Sequence, residues 1–188
     1  MTALAAQSLL TPEEYLAFEE RSFEIKHEYL AGEIWAMVGG TDRHNTVTLN
    51  LAALLKSHLR GTPCRTFMAD MKLRIDEADA FFYPDVFVTC DRQDQQERLY
   101  KRRPQFIAEV VSPSTEYFDR GRKFHIYRQS QTLKEYWLID PNEMRVDTYR
   151  RLPDDDWILH TYAAAEDAVP LRCLELELKI ADVYEDVE

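Results

Sequence analysis

The sequence predicts an α/β fold with a mixed central sheet and helices over both of its faces. Three observations carry that expectation. Val47, Leu51, Leu54 and Leu55 recur at helical spacing across 42–59. Three β-type runs follow at about 64–75, 81–90 and 105–111, the last of them almost wholly apolar. A helix at about 119–129 then leads to the strand "KEYWLID", closed by Pro141. The order from residue 42 is helix, three strands, helix, strand, and apolar runs buried on both sides require helices on both faces.

Further elements flank this series. "TPEEYLAFEE" opens a first helix, with Thr11 as N-cap, Pro12 at the first helical position and Glu14 completing a capping box. "KHEYLAGEIWAM" reads as a hairpin turning at Ala31-Gly32. The acidic "IDEADA" is a turn between the first two long strands. "RVDTYRR" and "WILHTYA" form a second hairpin around "LPDDD", and "CLELELKI" alternates as a half-buried strand does.

A chain of 188 residues, 45% hydrophobic and 12% aromatic, is long and apolar enough for one globular domain spanning 1–188. No repeat, low-complexity stretch or run of like charge marks a linker. Cys64, Cys90 and Cys173 suggest neither a disulfide framework nor a zinc site, being odd in number and without CxxC spacing. "MTALAAQSLL" lacks a basic start and a long apolar core, and no stretch approaches membrane-spanning length. A soluble, cytoplasmic protein with no membrane partner is expected. The net charge of -11 weighs against nucleic acid, which is held mostly through clustered Lys and Arg. "RLYKRRP" and "DRGRKFHIYR" are nevertheless locally basic.

The acids that interrupt apolar strands are the informative ones. Along 105–111, Ile107, Glu109 and Val111 share one face, and Phe106, Ala108 and Val110 share the other. An unpaired ionised Glu109 on a central strand would cost several kcal/mol. It is tolerated if paired with a buried cation, neutralised, or ligating a metal. Asp85, after Pro84, lies in a similar setting, although proline also suits a strand start or edge. Two such acids on successive strands suit a hard cation such as Mg²⁺. Pro-Asp on one strand and an acid on a later one is half of a metal-dependent nuclease signature. The other half is a lysine two residues after the second acid, and that position is Val111.

Three places offer the lysine. Pro153-Asp154 with Glu177-Leu178-Lys179 is a literal match, but it joins a hairpin turn to the polar face of a strand. Asp70-Met71-Lys72 lacks a preceding Pro-Asp, which leaves Asp70 as a runner-up acid. On the helix after Glu109, Arg120, Lys123, Phe124 and Tyr127 lie along one side. Phe124 and Tyr127 should pack on the sheet, with Lys123 beside them. Its long stem can bring an ammonium to the point a strand lysine reaches, about 6–7 Å along. A lysine snorkelling at the helix boundary is the other reading.

"YPDVFVT", "PQFIAEVVSPST", "DRGRKFHIYRQ" and "KEYWLIDP", taken in order, resemble the Uma2 family, a branch of the PD-(D/E)XK nuclease superfamily. The resemblance covers most of the chain and implies a restriction-endonuclease-like α-β-β-β-α-β core. It further implies that Asp85 and Glu109 bind the metal and that Lys123 supplies the displaced lysine. Glu28 matches an additional acid from the N-terminal region, and His44 a histidine at the start of the second helix. For these two, a solvated hairpin acid and a helix-start histidine packed near Val47 are the alternatives.

The function expected is Mg²⁺-dependent hydrolysis of DNA phosphodiester bonds, with Mn²⁺ as a substitute and a homodimer to meet the two strands of a duplex. Asp85, Glu109 and the Val110 carbonyl would hold the metal. Lys123 would act at the phosphate, and Arg120 and Arg122 would contact neighbouring phosphates. The alternative is a non-catalytic nucleic-acid-binding or interaction domain on the same scaffold.

Overall fold

Two sheets share one hairpin. The computed structural model describes residues 9–37, 39–112 and 116–188, so the start of the leader reading and the Pro113-Ser114-Thr115 end of the second sequence block lie outside it. The chain opens with α1 (Pro12–Glu19), where Thr11 and Glu14 form the expected reciprocal cap. Next come β1 (His27–Leu30), β2 (Glu33–Ala36) and α2 (Asp42–His58). The long strands predicted at 64–75 and 81–90 are each broken in two. The first divides into β3 (Arg65–Met68) and β4 (Lys72–Ile75), the second into β5 (Ala80–Phe82) and β6 (Val86–Thr89). Ala69, at φ 47°, turns the first break, and Pro84, which has no N–H to give a ladder, sits in the second.

The breaks let the chain change sheets. With β7 (Tyr100–Lys101), a five-stranded sheet runs β2-β1-β5-β4-β7. With β8 (Pro104–Val110), β9 (Glu135–Asp140), β10 (Arg145–Arg151) and β11 (Trp157–Tyr162), a six-stranded sheet runs β11-β10-β9-β8-β6-β3. β8 lies antiparallel to β6 and parallel to β9. Parallel neighbours need a crossover, and the segment from β8 to β9 contains α3 (Glu116–Phe118), a π-turn at Asp119–Lys123 and α4 (Phe124–Tyr127). The expected helix thus starts earlier and is wound wider in its middle.

Both faces of the six-stranded sheet are covered. Phe106, Ala108 and Val110 pack with Val47, Leu51 and Leu55 of α2. Ile107 and Val111 pack on the other face with Tyr127 of α4 and with Leu73 and Phe82 of the smaller sheet. The C-terminal strand is shorter than expected: Arg172–Leu174 is a 3-10 turn with Glu175 left-handed at its end. β12 (Ala168–Leu171) and β13 (Leu176–Lys179) pair beyond it, and α5 (Ile180–Val183) closes the chain. Among the described residues no helix is long and apolar enough to cross a membrane.

Cys64 and Cys90 form a disulfide, contrary to expectation, just beyond the paired residues Arg65 and Thr89. Strand register joins them across 26 positions, which a search for CxxC spacing does not reveal.

Candidate active site

Strand register brings the two acids together. Val86 faces Ala108 across β6 and β8, so Asp85 is the next cross-strand neighbour of Glu109. Each holds the other's strand: the Asp85 N–H donates to Glu109 Oε2 at 3.2 Å, and the Val110 N–H donates to Asp85 Oδ2 at 2.7 Å. Asp85 stands at the sheet-switching break rather than inside a strand, which is why its side chain keeps 20% of its exposure while that of Glu109 keeps 4%.

Lys123 points inward. Its Nζ lies 3.2 Å from Glu109 Oε1, 3.0 Å from Glu28 Oε1 and 3.5 Å from Asp119 Oδ1. The crossover explains the placement, because a helix joining β8 to β9 lies over the sheet face that carries Glu109. The π-turn ends at Lys123, and such wider turns are frequent at functional sites. The rings of Phe82 and Phe118 sit 5.6 and 5.9 Å from the ammonium. Tyr127, fully buried on α4, donates its hydroxyl to Glu109 Oε1 at 2.8 Å.

Glu28 and His44 complete the cluster. Glu28 is a buried acid of β1, not a solvated one; it accepts from Trp35 Nε1 at 3.2 Å and from the Tyr83 N–H at 3.3 Å. His44, held at the start of α2 by the Thr41 cap, places Nε2 at 3.3 Å from Asp85 Oδ1. Its pKa is raised by that hydrogen bond first and also by the Val110 carbonyl, with burial opposing. The imidazole therefore rests against Asp85 and the Val110 carbonyl.

Negative charge outweighs positive here. Burial raises the Glu109 pKa well above its ordinary value; Lys123 lowers it, while Asp85, Asp119 and Glu28 raise it further. For Lys123, desolvation pulls the pKa down and the charges of Glu109, Glu28 and Asp119 carry it above normal. Four carboxylates thus surround one ammonium and one imidazole, a surplus that a divalent cation would neutralise. Among the described residues no three His, Cys, Asp or Glu side chains form a ready cage. Magnesium does not need one, since one or two carboxylates suffice when solvent or phosphate completes the shell. The donor set therefore fits magnesium.

Other candidates fall outside. Asp70 is an exposed residue paired with Lys26 at 2.8 Å. Glu177 and Lys179 are exposed on β13, and Pro153-Asp154 lies in the turn between β10 and β11. Arg120 is not free for phosphate as expected, because it bridges Glu116 at 2.8 Å and Asp147 at 2.6 Å. Arg122 stays exposed. Asp119, Tyr127 and Trp35 also join the cluster, and no motif marks them in the sequence. The four-residue steps from Asp119 to Lys123 to Tyr127 are the signal that could have found two of them.

Residues 12–182 match the model of the Uma2 family, described as "Putative restriction endonuclease". The chain belongs to the Uma2 family. It is similar to two proteins of Synechocystis sp. (strain ATCC 27184 / PCC 6803 / Kazusa). "Uncharacterized protein slr1290" is 38% identical over 175 residues, 93% of this chain and 91% of the relative. "Uncharacterized protein sll1609" is 37% identical over 161 residues, 85% of this chain and 90% of the relative. A crystal structure of "a putative nuclease belonging to DUF820" from Anabaena variabilis ATCC 29413 matches with a TM-score of 0.75 at 19% identity. The match covers 93% of this chain and 97% of that one. This Uma2 chain thus has a nuclease-like α/β fold with mixed sheets.

Proposed function

We propose that this Uma2 protein is a Mg²⁺-dependent DNA endonuclease. The observation that carries the reading is the convergence of Asp85, Glu109 and Lys123 from three separate elements into one cluster with surplus negative charge. Asp85 and Glu109, with the Val110 carbonyl, would hold the metal, which supplies Lewis acidity and charge neutralisation at the phosphate. His44, with Nε2 3.3 Å from Asp85 Oδ1, orients that carboxylate. Lys123 holds Glu109 Oε1 in place and brings a fixed positive charge to where phosphate charge develops. Tyr127 fixes the same oxygen from the other side. Arg122, exposed on the crossover, would meet a flanking phosphate. Mn²⁺ would substitute for Mg²⁺, and a homodimer would present one centre to each strand of a duplex.

The test is cleavage of plasmid and oligonucleotide DNA with Mg²⁺ or Mn²⁺, comparing wild type with Asp85→Asn, Glu109→Ala and Lys123→Ala. Cleavage that survives all three substitutions sinks the assignment. The second reading, a nucleic-acid-binding or interaction domain without catalysis, draws on the burial of Glu109 and Lys123 in mutual contact. It is favoured if no cation supports cleavage.

A further inference from the structure

A cavity of about 420 Å³ opens beside Asp85. We propose that it receives one unpaired nucleotide of a DNA strand, so that the substrate is single-stranded or locally opened DNA; this rests on the hydrolase reading above.

Access is the first argument. Asp85 and His44 line the cavity, whereas Glu109 and Lys123 do not. A phosphate entering this recess meets Asp85 first. The space is at the lower end of the range for small-ligand pockets, about 300–1,000 Å³. It admits a nucleotide swung out of its stack, whereas a base-paired duplex must first open, at a cost of a few kcal/mol.

The wall chemistry is the second. Ile25, Met37 and Met68 give the cavity apolar surface, Asn45 and Thr41 give it polar atoms, and Glu24 and Asp70 stand with Lys26 on its wall. That mixture suits a base with a flat π-face and a polar edge. The loop that supplies Ile25 also carries Phe23, 93% exposed, with Ile25 itself 51% exposed. Phe23 directly precedes the cavity-lining Glu24 and Ile25, and an aromatic ring left almost wholly in water there offers a stacking surface for the neighbouring base.

Charge is the third. Tight duplex binding requires many phosphate contacts from Lys and Arg, and this chain carries a net -11. Stacking on an aromatic ring adds to the phosphate contacts of a single strand, so fewer of them are needed. Lys26 on the cavity wall pairs at 2.8 Å with Asp70, itself 81% exposed. So weak a pair leaves the ammonium available to one phosphate of an entering strand.

The test uses a short oligonucleotide carrying 2-aminopurine, single-stranded or annealed to its complement, titrated with the full chain in calcium buffer. The single strand should bind at least about ten-fold more tightly than the duplex and change its 2-aminopurine emission. Phe23→Ala, a substitution at a solvent-exposed site, should weaken single-strand binding about 5- to 100-fold and leave duplex binding unchanged. Met68→Trp, which fills the cavity, should act in the same direction. Equal affinity for the two forms, or no effect of Phe23→Ala, overturns the inference. Cleavage assayed in magnesium alongside binding separates the two claims. Stacking-dependent binding without cleavage by the wild type keeps this inference and removes the hydrolase reading. Equal cleavage of both forms, unaltered in Phe23→Ala, does the reverse.

Discussion

Glu109 and Asp147 are both carboxylates at 3% exposure, yet their pKa values move in opposite directions. Burial alone would raise both. At Asp147 it is overcome by hydrogen bonds from Arg145 at 3.0 Å, Thr161 at 2.7 Å and Arg120 at 2.6 Å. At Glu109 one ammonium is shared among three carboxylates, and a fourth, Asp85, lies beside them. One buried acid is more than neutralised and the other is not. A structural acid needs its partners to close the charge; an acid intended for a cation from solution must leave the charge open. That contrast, more than burial itself, separates a site from a brace.

Lys123→Met should show the largest effect, since it leaves Glu28, Glu109 and Asp119 without their common cation. The expected loss is roughly 3–5 kcal/mol of folding stability in urea melts, with Mg²⁺ restoring part of it. A melt within error of wild type would mean that the cluster is not held by this lysine. Glu109→Gln is predicted to do the opposite. It relieves the charge surplus, so stability should stay within about 1 kcal/mol of wild type. Cleavage should fall more than about 100-fold, beyond what loss of an outer-shell partner usually costs.

At Asp147 the order reverses: Asp147→Asn should cost about 2 kcal/mol and leave cleavage intact. Its pH dependence has a definite sign. The folded pKa lies below the ordinary 3.8, so the stabilisation is present above the unfolded value and is lost as pH falls through the folded one. Melts of wild type and Asp147→Asn should therefore differ at pH 6 and converge below pH 3.8. A gap that persists in acid would assign the difference to packing rather than charge.

Much of this was legible in the residues. The element order and the two faces of β8 follow from periodicity and from the need for a crossover between parallel strands. Spacing leaves Lys123 between an inward and a snorkelling position, and only the family resemblance points it inward. What was hidden depends on long-range pairing. The sheet switches at Ala69 and Pro84 look locally like continued strand, since the alternation Phe67, Ala69, Met71, Leu73 runs through the first and a nearly unbroken apolar run spans the second. The Cys64–Cys90 bond needs the register of β3 on β6. Arg120 reads as an exposed helix arginine until β10 brings Asp147 beneath it. Glu28 reads as a hairpin acid until β5 pairs with β1 and the chain beyond it brings Tyr83 to its carboxylate.

The finest test of the open cluster is Tyr127→Phe. The hydroxyl is one of two side-chain donors to Glu109 Oε1, and the ring is fully buried against Phe82 and Tyr136. Removing one oxygen leaves the packing in place, so the stability change should be only about 1 kcal/mol. If Glu109 holds a cation, loss of this orienting donor should raise the Mg²⁺ concentration needed for half-maximal cleavage by about ten-fold. A hydroxyl that merely satisfies a buried acid would move the melt and not the magnesium titration. The split between these two readouts therefore shows whether the charge left open at Glu109 is open for a metal.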